Sequence, residues 1–210
     1  MPLIIDCVRH AQGMHNALTD WSIHDPNLTT LGLSQCMDLQ RRYTHAKDVA
    51  AIFSSPSKRT IVTGALSFAQ VFNKPKPLQI TLMSDLQEIE AEQCNRGTPI
   101  PDLQKEFGTR IQVISSYVPS SWGSNKSAKD VEVKTIEARA LKARRDIRAF
   151  GQKLVTKANP SPRIVVVSHS GYLEHFTETH GWGNAELRSF VFTDASFKDA
   201  QARLTETKAA

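Results

Sequence analysis

The segment Leu3-Ile4-Ile5-Asp6-Cys7-Val8-Arg9-His10 decides the fold. Its near-continuous apolar run is what a strand buried on both faces requires, and such strands belong to parallel sheets covered by helices. It ends on a guanidinium and an imidazole. A second run, Ile164-Val165-Val166-Val167-Ser168-His169, ends the same way. In open parallel sheets, ligands bind in the crevice outside the carboxyl ends of the strands. If these two strands are neighbours, His10 and His169 converge on one site.

Working outward, strands and helices alternate. Thr29 and Thr30 are N-cap residues for a helix over Leu31–Tyr43. Val49–Phe53 reads as a strand, stopped by Ser54-Ser55-Pro56. These residues start a helix with Pro56 in its first turn and Ile61, Ala65, Phe68 and Phe72 on one face. Leu78–Leu82 is a third strand. Residues 84–133 have weak periodicity and read as a cap-like insertion over the sheet, with a short helix at Asp102–Phe107. Within it, Pro119 to Ser127 reads as a mobile loop, with Trp122 as a lid residue. A long helix follows over Thr135–Lys157, with Ile136, Ala140, Ala143, Ile147, Phe150 and Leu154 buried. Then come a strand at Arg163–Val167, a helix from Gly171, an edge strand at Ser189–Thr193 and a short helix after Ala195. The pattern predicts a single α/β domain, a three-layer α/β/α sandwich on a mainly parallel sheet.

The bulk properties set limits. The chain has 210 residues, enough for one domain with a sizeable core. It is 40% hydrophobic and 22% charged, ordinary for a soluble globular protein. A net charge of +5 suits an anionic ligand. Cys7, Cys36 and Cys94 have no metal-type spacing and read as reduced thiols, which points to a cytoplasmic setting. No apolar run is long enough to span a membrane, and the N-terminus shows no signal peptide.

The chemistry concentrates at strand-to-helix turns. Arg9 offers a planar fork suited to phosphate, and neutral His10 beside it can attack phosphorus. Asn16 can donate an amide N–H to the same anion. Arg59 falls in the first turn of its helix, where backbone N–H groups also favour anions. As a stabilising charge it would be misplaced there. Past the third strand, Asp85, Glu88, Glu90 and Glu92 compete to protonate a leaving oxygen. Gly171, after Ser168-His169-Ser170, allows close backbone approach to a phosphate, and a protonated His169 would add positive charge.

Together these segments resemble the histidine phosphatase superfamily, in its phosphoglycerate mutase-like branch. The matching stretches are Arg9-His10-Ala11 with Asn16, Leu28-Thr29 with Gly32 and Gln35, and Ser54-Ser55-Pro56 with Arg59-Thr60. Leu86-Gln87-Glu88 and Ser168-His169-Ser170-Gly171 complete the set, in family order. The resemblance implies that His10 becomes phosphohistidine. Arg9, Arg59 and His169 would hold the phosphoryl oxygens, with Asn16 and Ser170 completing the phosphate-binding set. Glu88 would act as general acid and then base. It implies no cofactor and no metal, and a small phosphorylated metabolite as substrate.

The chain departs from the family pattern in places. Ala11 replaces a glycine, which brings it near a plant and fungal Arg-His-Ala-Gln-Gly subgroup. Asn95 stands where that subgroup often has a carboxylate, and Arg96 beside it is a candidate contact for a second substrate charge. The insertion lacks the length and basic residues of a mutase, so hydrolysis is favoured over transfer between hydroxyls. The alternatives are a mutase and a pseudo-phosphatase that binds phosphorylated ligands without turnover. A basic helix face, with eight Lys/Arg from Lys134 to Lys157, raises nucleic-acid binding, but it reads first as a solvated face. A zinc site from His10, His15, His169 and His175 lacks partners at known spacings. Neither a nucleic-acid nor a membrane partner is expected, and a homodimer is compatible with the sequence.

Overall fold

A computed structural model describes residues 2–73, 77–123, 133–194, 196 and 198–207. The elements in chain order are β1 (Ile4–Arg9), α1 (Met14–Leu18), α2 (Thr30–Arg42), β2 (Val49–Ser54), α3 (Lys58–Ser67), α4 (Ala69–Phe72) and β3 (Ile80–Leu82). They continue with α5 (Ile100–Phe107), β4 (Ile111–Val113), α6 (Val133–Gln152), β5 (Arg163–Ser168), α7 (Ser170–Thr177), β6 (Leu187–Phe192) and β7 (Leu204–Glu206). One seven-stranded sheet has the order β4-β3-β2-β5-β1-β6-β7. The pairs from β4 through β1 are parallel, while β6 and β7 join antiparallel at one side.

Two apolar layers flank this sheet. Ile5, Cys7, Phe53, Ile164 and Val166 point toward Ala140, Ala143 and Ile147 of α6 and Tyr172 and Phe176 of α7. The alternate positions Val8, Ile52, Val165 and Val167 face Leu39, Ile61, Phe68 and Leu103 on the opposite side. The two-residue strand period thus divides each central strand between two cores, giving the three-layer α/β/α arrangement.

Asp6 interrupts the apolar run of β1 with a buried charge. Its carboxylate accepts hydrogen bonds from Tyr43 (2.6 Å), Ser189 (2.6 Å) and Arg163 (2.8 and 3.0 Å). One acid therefore joins the end of α2 to β1, β5 and β6, and both of its oxygens accept hydrogen bonds.

Several elements differ from the sequence reading. Pro56 precedes α3, whose N-cap is Ser57, and the helix breaks at Phe68 before α4. Ile111–Val113 adds a parallel strand beside β3 that weak periodicity concealed. The strand expected at an edge is flanked by β1 and β7, and the described part of the tail forms β7 where a helix was expected. Trp122 is no lid. Its ring is buried against Gly97, where a Cβ would lie 2.4 Å from it. The loop expected over 119–127 has its last four residues outside the described residues.

Several basic residues of α6 are tied to neighbouring backbone or carboxylates. Arg139 donates to the Gln87 carbonyl, Arg144 to those of His175 and Phe176, Arg145 to that of Ala200 and Arg148 to that of Asp199. Lys142 pairs with Asp85 and Asp146. Arg144 is buried and Arg139 and Arg148 are half-buried, while Lys142, Arg145, Lys153 and Lys157 stay exposed, so only part of this face is the solvated stripe expected. Among the described residues no helix is long and apolar enough to cross a membrane.

Candidate active site

Strand register brings the two imidazoles together. Arg9 of β1 lies opposite Ser168 of β5, and the His10 N–H donates to the Ser168 carbonyl at 2.9 Å. The next residue of each chain segment is a histidine, and their ring centroids are 5.2 Å apart.

The loop after β1 is clasped by α2 and α3. Thr29 caps α2 through the Gly32 N–H, and its own N–H donates to the Gln12 carbonyl. Gln35 accepts from the Gln12 N–H at 2.8 Å. Gly32 lets α2 approach, since a Cβ there would fall 2.2 Å from the Gln12 carbonyl oxygen. Ala11 is fully buried with negative φ, and its N–H donates to Thr63 at 3.0 Å. Alanine is tolerated because this turn makes no use of the left-handed region.

This packing defines the nucleophile's tautomer. His10 Nδ1–H donates to the Ala11 carbonyl at 2.8 Å, so the lone pair resides on Nε2. Burial, and then Arg59, lower the His10 pKa well below the usual histidine value, which keeps the ring neutral.

Arg59 is 1% exposed and lies beside both histidines. It donates to the Cys94 carbonyl (2.7 Å), to Asn95 Oδ1 (2.8 Å) and to His169 Nδ1 (3.0 Å). Asn95 is a neutral acceptor there and leaves the arginine's charge in place. Arg9 donates to the Trp182 carbonyl at 2.6 Å. The Nε atoms of both arginines are buried without a partner. Arg96, Arg139 and Arg144 also have unpartnered Nε atoms, but Arg9 and Arg59 alone of these five line the cavity at His10.

That cavity is about 310 Å³ and is lined by Arg9, His10, His15, Asn16, Arg59, Glu88 and Ser170, among others. Glu90, Glu174 and the partly exposed Trp21 stand with them. Asn16 accepts from the Gly13 N–H through Oδ1 at 3.0 Å, which leaves its amide N–H groups for the cavity. Glu88 is seated on the start of α7, accepting from the N–H groups of Gly171 (3.3 Å), Tyr172 (2.9 Å) and Ile89 (2.9 Å). Gly171 lines the cavity, as a residue admitting phosphate would, and it also makes room for this carboxylate. A Cβ at 171 would be 2.8 Å from Glu88 Oε1.

His169 differs most from expectation. It is fully buried and does not line the cavity. An arginine only donates, so Nδ1 accepts from Arg59, and the Nε2–H is left to donate to Ser55 at 2.9 Å. Burial and Arg59 hold its pKa well below the ordinary value, so the ring is neutral rather than protonated. Arg96 also stays outside the cavity lining.

Two residues escaped the sequence reading. Asp25 is buried beneath the site, accepting from the N–H of Lys58 (3.0 Å) and from Thr98 (2.9 and 2.7 Å). It seats the first turn of α3, and hence Arg59, and no local pattern announced it. His15 lines the cavity and had entered only as a zinc ligand. Among the described residues no three His, Cys, Asp or Glu side chains are placed to hold a metal ion, and His175 pairs with Glu137.

Comparison with known proteins agrees with this architecture. The model of the histidine phosphatase superfamily (branch 1) matches residues 5–203. No curated protein matches. Among solved structures, the ecdysone phosphate phosphatase of Bombix mori in complex with tungstate is 12% identical. The alignment covers 99% of this chain and 92% of that one, with a TM-score of 0.68. A mycobacterial glucosyl-3-phosphoglycerate phosphatase is 16% identical over 98% and 97% of the two chains (TM-score 0.61). A phosphoglycerate mutase from Bacillus anthracis is 17% identical over 99% and 92% (TM-score 0.58). At these identities the likeness establishes the phosphoglycerate mutase-like α/β fold.

Proposed function

Because the chain belongs to branch 1 of the histidine phosphatase superfamily, we propose that it hydrolyses a small phosphomonoester through a phosphohistidine on His10. One observation carries this reading: a neutral imidazole with a free Nε2 lone pair shares a cavity with the guanidiniums of Arg9 and Arg59. A phosphoryl group supplies both the electrophile and the acceptors. It carries about −1.5 to −2 charge, which two arginines balance.

The His10 Nε2 lone pair attacks phosphorus in line, and the bond to the ester oxygen breaks. Glu88 gives its proton to that departing oxygen. Arg9 and Arg59, with Asn16 and Ser170 beside them, hold the remaining oxygens as their charge shifts. Glu88 then takes a proton from water as it attacks phosphorus. The N–P bond breaks and phosphate leaves. His169 acts through Arg59, which it orients together with Ser55.

The cavity's own charge favours hydrolysis over mutase chemistry. Glu90 and Glu174 add carboxylates beside Glu88, and these oppose a substrate with a second anionic group. The Arg9-His10-Ala11-Gln12-Gly13 turn supports the further reading that the chain is a member of the Arg-His-Ala-Gln-Gly subgroup. The decisive experiment is turnover of p-nitrophenyl phosphate with trapping of an acid-labile phosphoenzyme. Activity and phosphoenzyme should both vanish in His10→Ala while the melting temperature holds. No turnover and no phosphoenzyme in the wild type would reject the reading and leave a binding protein.

A further inference from the structure

His15 is 4% exposed and lines the cavity, with its ring centroid 5.6 Å from that of His10. It projects from the first turn of α1. Its Nδ1 is buried without a partner, on the edge of the ring that faces Gly13. A Cβ at position 13 would lie 2.7 Å from both Nδ1 and Cε1. The glycine is therefore needed to seat this ring. With Nδ1 sealed in this way, Nε2 is the nitrogen left to serve the cavity.

His169 has both nitrogens engaged, by Arg59 and Ser55, and lies behind the guanidinium. We propose that His15 donates a hydrogen bond from Nε2 to an oxygen of the transferring phosphoryl group, at the cavity wall that His169 does not reach. This assignment rests on the phosphatase reading.

A proton on Nδ1 would be buried with no acceptor, so the neutral ring keeps its single proton on Nε2. Burial first, and then Arg59 and Arg9, lower the pKa of His15 to about 4, consistent with a neutral ring. The contact adds direction without adding charge.

The test compares His15→Phe, which keeps a ring but no nitrogen, with His15→Gln, whose amide N–H reaches about as far as Nε2. Hydrogen bonds to charged groups contribute enough that His15→Phe should lower kcat/KM for p-nitrophenyl phosphate about 10- to 100-fold. Inhibition by vanadate should weaken similarly, and His15→Gln should recover part of both. In wild-type protein, vanadate should shift the 15N resonance of His15 Nε2 more than those of His169, a readout that needs no variant to fold. Kinetics of His15→Phe within twofold of wild type, an unmoved His15 resonance, or phosphate mapped onto His15 itself would each overturn the assignment. If the wild type turns over no aryl phosphate, the phosphatase reading fails separately, and the vanadate shift still decides whether His15 meets the anion.

Discussion

Arg59→Lys separates the guanidinium's geometry from its charge. Arginine has five N–H donors. Three are committed, to the Cys94 carbonyl, Asn95 Oδ1 and His169 Nδ1 at 2.7, 2.8 and 3.0 Å. The Nε–H is buried, which leaves one terminal N–H for the cavity. A lysine ammonium presents its three donors from one nitrogen and cannot meet these acceptors and a phosphoryl group together. Losing that charge-assisted bond to the transition state, at about 1.5–3 kcal/mol, gives about 10- to 100-fold in kcat/KM. Acceptors left bare at Asn95 and His169 should cost about 1–3 kcal/mol of stability as well. The assays are p-nitrophenyl phosphate kinetics and a thermal melt on the same preparation. A folded Arg59→Lys enzyme within threefold of wild-type kcat/KM would refute the donor accounting.

Further outcomes follow from the same geometry. Glu88→Gln should slow alkyl phosphates far more than aryl phosphates, because a good leaving group needs no proton; equal losses would move the acid role to Glu90. His10, His15 and His169 all have pKa values below the ordinary histidine value, chiefly through burial. The unfolded chain therefore binds more protons below about pH 6.5. Stability should be level above that pH and fall as pH drops beneath it, by up to about 1.4 kcal/mol per pH unit for each histidine. Urea midpoints that are equal at pH 7.5 and 5.5 would contradict this. Gly32→Ala should destabilise by about 1–3 kcal/mol, since its Cβ would fall 2.2 Å from the Gln12 carbonyl oxygen. An unchanged melting temperature would show that the clasp on the His10 loop is looser than described.

What the sequence determined is local and periodic. Apolar runs marked β1 and β5, and their last residues marked His10 and His169 as neighbours at strand ends. Thr29 announced its cap, and the order of elements announced three layers with Arg59 and Glu88 on turns at one end. These features depend on burial pattern and backbone preference, which are written within a few residues of one another. The tertiary structure decided which nitrogen each side chain presents and to whom. Whether His169 faces a substrate or Arg59, how Gly171 seats the Glu88 carboxylate, and whether Trp122 covers a mouth or fills a core all turn on distant partners. So do Asp25 beneath Arg59 and the antiparallel pair β6 and β7. A hydrogen bond is directional and forms between residues as far apart as Arg59 and His169, so no local string of residues can specify it.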